Sequence, residues 1–357
     1  METGAERDRL ELDLQIGRGS ACSAAYGHPA VEAERAWVRA IDLLRAHPED
    51  PRNFWARRGL STAYSAQGKI TAYAAIAEET LDLARQSGDP AGLCVAHMIF
   101  ANLKNYSGNF AAAEQATFEA ARYFREEARH KSFDLSGLDI AAHIPLARAL
   151  AQSFLGNHAE AYESMNQALR LAEAQPQVGV LVWAQFWVSF CCLIERDFGR
   201  AEAVADRAFA LATEHGFGFW ATAAQLSQGA ALVIADPERA ATVIGAGLAK
   251  LESLGSRYYF HSIYPCFEAE ALLRLGRIAE ARTAIDRALA ITASTGLIWW
   301  NADLHRIRAA VIGAEGDDDD AARDALTRAV AIAEQQGSET FRHRAAADLA
   351  ALGGPAH

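Results

Sequence analysis

The chain has 357 residues, half of them hydrophobic, and its 45 acidic and 34 basic side chains leave a formal net charge of -11. That balance excludes the clustered Lys and Arg that a nucleic-acid partner requires, and no apolar run reaches the ~18 residues of a membrane-crossing helix. The first stretch, METGAERDRLELDLQ, is charged where a signal peptide is apolar, so a cytoplasmic location without export or membrane attachment is expected. Five cysteines (Cys22, Cys94, Cys191, Cys192 and Cys266) give an odd count without a C-x-x-C pair. They read as reduced, buried small hydrophobes and not as a disulfide framework.

In chain order, paired helices separated by glycine turns account for nearly everything. A first hairpin over 6–47 turns at Gly27. A second over 51–88 opens on Asp50-Pro51 and turns at Gly68, and a third over 90–127 opens on Asp89-Pro90 and turns at Gly108. The polar stretch 128–138 (ARHKSFDLSGL) reads as an inserted loop. The fourth hairpin, 139–174, carries Pro145 and turns at Gly156. The fifth, 177–215, turns near Asp197 and ends at Gly216. The sixth, 217–254, turns at Ala235 or Asp236 and ends at Gly255. The seventh, 256–295, is the clearest. YYFHSIYPCFEAEALLRL reads as one helix stopping at Gly276, with Pro265 expected to kink or delay it, and IAEARTAIDRALAITAS as a second stopping at Gly296. The eighth, 297–336, turns at Gly316 and ends at Gly337. A last helix over 338–352 exposes Arg342, His343, Arg344 and Asp348 to solvent as a cap, and the tail 353–357 is expected to fray.

The period follows from physics. Glycine takes the left-handed conformation that ends a helix without a steric penalty, and these glycines recur at steps of 39 to 41 residues, except for a 48-residue step across the insertion and a gap of three periods from Gly156 to Gly276, where Asp197 and Ala235 or Asp236 hold the intermediate turns. Within a hairpin the apolar residues fall at three-or-four spacing and leave one greasy face per helix. A lone hairpin cannot bury that face, so copies must stack. Alanine-rich clusters after the inner turn (AAAEQA at 111–116, AEAYES at 159–164, AEAVAD at 201–206, AEARTA at 279–284) let paired helices approach closely. The expectation is an all-α fold: a single α-solenoid domain over 1–357, wound as a right-handed superhelix of about eight tetratricopeptide-like hairpins with a capping helix.

Catalytic and metal motifs are missing. Gly68-Lys69 is followed by Ile70, and Ala63 stands where a phosphate loop needs its first glycine. There is no H-E-x-x-H and no G-x-S-x-G, and the eleven histidines are dispersed without metal-ligand spacing. His305 and His343 read as partly exposed helix histidines. The run Asp317–Asp320 reads as a solvated turn whose carboxylates favour the positive end of the following helix. No cofactor, no metal and no catalytic residue is expected, and the chain is not expected to be an enzyme.

The informative pattern is aromatic. Three and four residues after each unit-ending glycine come Phe219 and Trp220, then Tyr258 and Tyr259, then Trp299 and Trp300; Phe341 keeps the second place in the last copy. Phe54, Trp55, Trp183, Phe186, Trp187 and Phe190 lie near the same place in earlier units. One reading has a ring of each pair plugging the seam between neighbouring units. The other has the second ring lining the concave surface and gripping a ligand. The candidate binding residues are Trp183, Trp187, Phe219, Trp220, Tyr258, Tyr259, Trp299 and Trp300.

The segment from Leu297 to Leu352, with Trp299, Trp300, Ala302, Asp303, Leu304, Arg306, Ala329, Ile332, Ala333, Ser338, Arg344, Ala345, Ala346 and Leu349, resembles the tetratricopeptide-like C-terminal region of bacterial signalling proteins. In those proteins such a tail follows a class III adenylate or guanylate cyclase and an AAA-type ATPase. The stretches LELDLQIGRGSACSAAYGHPAVEAERAWVRAIDLL and EHGFGFWATAAQLSQGAAL are similar to the start and middle of the same tail. The cyclase and ATPase motifs are absent, so no catalytic residue carries over, and the chain reads as a stand-alone copy or an excised piece. The resemblance implies a regulatory or scaffolding surface. The expected function is therefore non-catalytic binding of a protein or peptide partner through the concave surface. The alternative is a small-molecule sensor with a pocket inside the superhelix.

Overall fold

The computed structural model describes residues 4–126, 129, 139–253, 259–316 and 319–352. Tyr258, Gly255, Asp317, Asp318, nearly all of the insertion 128–138 and the tail 353–357 lie outside the described residues. Among the described residues there are seventeen α-helices and no strand. They are α1 (Gly4–Tyr26) and α2 (Val31–Leu44), α3 (Arg52–Ala66) and α4 (Ile70–Ser87), α5 (Pro90–Tyr106) and α6 (Phe110–Tyr123), and α7 (Ile140–Leu155) and α8 (His158–Glu173). There follow α9 (Val178–Glu195) and α10 (Phe198–Glu214), α11 (Gly218–Ala231) and α12 (Pro237–Ser253), α13 (Tyr264–Arg274) and α14 (Ile278–Thr295), and α15 (Asn301–Glu315) and α16 (Asp319–Gln336). The last is α17 (Glu339–Leu352). The fold is an all-α solenoid of helix hairpins.

Turn chemistry sets the boundaries. The inner-turn glycines Gly27, Gly68, Gly108, Gly156, Gly276 and Gly316 all have positive φ, between 69° and 88°. The fifth turn lacks a glycine, and Arg196 itself takes φ 60° there. Asp197, the residue expected at that turn, instead caps the next helix, its carboxylate accepting the Arg200 N–H at 3.1 Å. Asp89 caps α5 through the N–H groups of Ala91 and Gly92. The single helix expected from Tyr258 to Gly276 is instead a 3₁₀ turn, Phe260–Ser262, followed by α13. Pro265 falls in the first turn of α13, where its missing donor costs nothing, so the proline delays the helix. Pro145 stays inside α7.

The odd-numbered helices form an inner layer. Each packs on the next odd helix, from α1 on α3 through to α15 on α17, as well as on its even-numbered partner. Curvature therefore puts the odd helices on the inside. Close approach is built in: a Cβ on Gly19 of α1 or Gly59 of α3 would stand within 2.5 Å of the Trp37 indole of α2, which is sandwiched between those two helices.

The coil is wound tightly enough to touch itself. The first inner turn, Gly27 and His28, meets Phe219 and Trp220 of the sixth hairpin. The third, at Tyr106, accepts a hydrogen bond from the Ile298 N–H at the head of the eighth (3.1 Å). The fourth receives the last helix, Ser338 donating to the Phe154 carbonyl and Thr340 to that of Ser153. Each contact joins elements five hairpins apart, so one turn of the superhelix takes five. α17 consequently packs on α7 as well as on α15 and α16. It is not the purely solvent-facing cap the sequence suggested, because Arg344 turns inward and donates to the Ile194 carbonyl at the end of α9.

The winding also corrects the membrane expectation. Val178–Glu195 is long and apolar enough to cross a bilayer by length and composition. Most of it is buried within the protein, from Val180 through Ile194. A helix surrounded on every side by neighbours is hydrophobic all round.

Candidate functional site: an aromatic pocket inside the coil

Winding five hairpins per turn brings the inner helices around a common axis, and rings fill it. Trp299 and Trp300 are fully buried there. Trp299 packs against Tyr106 (5.1 Å between ring centroids), Tyr259 (5.3 Å) and Phe190 (5.6 Å). Trp300 packs against Phe341 (5.1 Å), Phe190 (5.5 Å) and Phe154 (5.8 Å). These two rings are core, and they join hairpins that are far apart in sequence.

Beside this plug the axis holds a cavity of about 80 Å³. Thr62, Ser65 and Ala66 of α3, Tyr73 of α4, and Asn102 and Tyr106 of α5 form one side. His143, Leu146, Ala147 and Leu150 of α7 and Trp183, Phe186 and Trp187 of α9 continue the lining. Phe219 and Trp220 of α11, Tyr259, Phe260 and His28 close it. Of the residues singled out from the sequence, Trp183, Trp187, Phe219, Trp220 and Tyr259 thus converge on one space. Trp299 and Trp300 lie behind it, and Tyr258 is outside the described residues. Trp187, Phe219 and Trp220 are half-buried, whereas Trp183 and Tyr259 are buried.

The polar groups were not foreseen. Arg58, buried at 2% exposure on α3, donates from Nη2 to His143 Nδ1 at 2.9 Å. Arginine has no acceptor, so Nδ1 must accept and the His143 proton sits on Nε2. The Asn102 amide Nδ2 lies 3.2 Å from Nε2, so the amide group must be turned over to present its oxygen to that proton. Burial, with the Arg58 charge behind it, holds His143 well below the usual histidine range, consistent with this neutral form. Burial and then Arg58 likewise bring His28 down to about 4. Burial pulls Arg58 itself down to about 10, with Tyr73, Cys94 and Tyr106 opposing. One signal was legible: Arg58 follows Phe54 by four residues and Trp55 by three, which places it on the buried face of α3.

His305 is buried at 6% exposure, and burial brings it down to about 4; His343 is exposed beside Glu339. No group of three metal-ligating side chains occurs among the described residues. Cys94, Cys191, Cys192 and Cys266 are buried free thiols, and Cys22 is half-buried.

No family model matches the chain. Over 107 residues it is 36% identical to an uncharacterized protein of Rhizobium meliloti (strain 1021), covering 30% of this chain and 10% of that protein. The chain thus spans about a tenth of the length of the curated relative it matches. Among solved structures, a Rap protein complexed with competence and sporulation factor superposes with a TM-score of 0.58 at 13% identity, over 96% of this chain and 98% of that one. This similarity is one of fold. A signal-transduction ATPase with numerous domains and a tetratricopeptide repeat sensor, from Pyrococcus horikoshii, gives a TM-score of 0.47 at 14% identity over 90% of this chain and 50% of its own.

Proposed function

We propose that this chain is a non-catalytic recognition domain that takes up a small ligand, or the end of a peptide, in the pocket inside its superhelix. The observation that carries it is the convergence of half-buried and buried rings from separate hairpins on one cavity with a few polar groups, which is how small-molecule sites are built. The inner surface that the repeats offered to a partner is largely filled by the chain's own rings, and the pocket is the part left open. The cavity encloses roughly half the ~150 Å³ that admits a benzene ring, so it holds a small polar or side-chain terminus while a larger body lies between the half-buried rings Trp187, Phe219 and Trp220. The eight hairpins and α17 act as a single domain in this reading, because the five-unit winding ties them together. The resemblance to the tails of cyclase–ATPase signalling proteins supports a cytoplasmic regulatory role in a bacterial signalling system, and the similarly folded Rap protein is complexed with competence and sporulation factor.

Thermal-shift screening against amino acids, nucleotides, sugars and short peptides tests the proposal, since a ligand selective for the folded state raises its melting temperature. At least one compound should stabilise the wild type and leave a cooperatively melting Trp187→Ala/Trp220→Ala variant unmoved. Equal stabilisation of both proteins would remove the pocket from the account.

A protein partner is the second reading. It is favoured by Leu10 and Leu14, which are 49% and 72% exposed one turn apart on α1. Pull-down with Leu10→Glu/Leu14→Glu should then lose partners that the wild type retains; identical capture would sink that surface.

A further inference from the structure

Behind the pocket wall, against His143, lies a buried cation that no carboxylate meets among the described residues. Arg58 is 2% exposed, and its one side-chain hydrogen bond among the described residues goes to a neutral imidazole. Its Nε has no partner. The groups that act on it electrostatically are Tyr73, Cys94 and Tyr106, with no carboxylate among them. Among the described residues no acidic side chain lines the cavity, although the protein as a whole is strongly acidic. Two half-buried arginines are arranged differently: Arg306 meets Asp303 at 2.5 Å, and Arg196 meets Glu270 at 2.5 Å. A buried charge without a counter-charge is costly, and proteins pair such groups or place them where a ligand completes the pair.

We infer that the pocket is built for a ligand carrying an anionic group, a carboxylate attached to an apolar or aromatic body, with Arg58 as its counter-charge and the rings of α9 and α11 holding the body. The inference rests on the proposed reading of the cavity as a ligand site. The guanidinium stands one helical turn before Thr62, a wall residue, and directly behind His143, another. A carboxylate entering beside His143 sets its charge against a cation that no carboxylate of the described residues meets, where water is largely excluded and the attraction is strong. Leaving Arg58 unpaired in the empty protein is a sacrifice of stability of the kind that binding sites show.

The test uses phenylacetate and its neutral twin phenylacetamide, titrated at constant ionic strength into wild type, Arg58→Gln and Arg58→Lys, with calorimetric affinity and melting temperature as readouts. Phenylacetate should bind the wild type at least tenfold more tightly than phenylacetamide. Arg58→Gln should erase that preference while still binding phenylacetamide, and Arg58→Lys should restore part of it. Without any probe, Arg58→Gln should melt higher than the wild type. Equal affinity of the two probes for the wild type overturns the charge assignment and leaves the pocket standing as a ligand site. Failure of both probes to bind the wild type counts against the pocket itself and takes the inference with it. A lower melting temperature for Arg58→Gln would make Arg58 a structural residue and also overturn the inference.

Discussion

Removing the Trp299 side chain should loosen hairpins that are nearly two hundred residues away. The ring is fully buried and touches Tyr106, Phe190 and Tyr259 within 5.6 Å, with Phe154 at 6.2 Å. A buried tryptophan covers about 150–250 Å². At ~25 cal/mol per Å² that is about 4–6 kcal/mol of transfer free energy, and measured Trp→Ala losses run at about 3–5 kcal/mol. The indole Nε1 has no acceptor, so its removal returns about 1 kcal/mol or more. The net expectation for Trp299→Ala is a loss of about 2–4 kcal/mol by urea denaturation. Trp299→Phe, which keeps a ring and drops the unpaired N–H, should lose less than about 1.5 kcal/mol. Hydrogen exchange in Trp299→Ala should accelerate across α5 and α7, which it touches through Tyr106 and Phe154, and not only across α15. A loss below about 1 kcal/mol, or a loss no larger than that of the 44%-exposed Phe118→Ala, would refute the self-contacting coil.

Three further outcomes follow from the same packing. Ala288 is fully buried on α14, so Ala288→Glu should cost several kcal/mol on a denaturation curve, on the order of an unpaired buried charge. Arg196→Gly relieves a left-handed residue, worth about 1 kcal/mol, but strips Glu270 of its bidentate partner, worth about 3–5 kcal/mol when buried; chemical denaturation should show a net loss near 2 kcal/mol or more. For Asp303, burial alone would raise the carboxyl, but Arg306, then Arg344 and Arg196, outweigh it and hold the group at about 2. A folded-state value depressed below the unfolded ~3.9 means stability that is present above pH 4 and lost as pH falls toward 2, by about 2 kcal/mol. The wild type should show that acid loss in pH-dependent melts, and Asp303→Asn should lack this part of it.

The hairpin grammar was open to reading because it is local. A glycine at Gly68 or Gly316 ends a helix through its own backbone freedom, and an Asp before a Pro at position 89 starts one through its own side chain. Arg196 defeated that grammar: a left-handed arginine is held by tertiary partners, here Glu270, which no local rule reports. The site was half visible. Ring spacing brought out Trp183, Trp187, Phe219, Trp220 and Tyr259, since a period shared by several copies must place them along one line. The same pattern could not say that Trp299 and Trp300 lie deep in the core, because that depends on how many hairpins complete a turn, a product of small rotations summed over five units. Arg58, His143 and Asn102 come from three helices and meet only after winding, so their union leaves no trace in any stretch of sequence.

The contact between successive turns also bears on time. Trp220 and His28, both in the pocket wall, stand on two hairpins five apart and touch across the gap. Mutations that slacken that contact should widen the space between the two hairpins and shorten the stay of any guest held there.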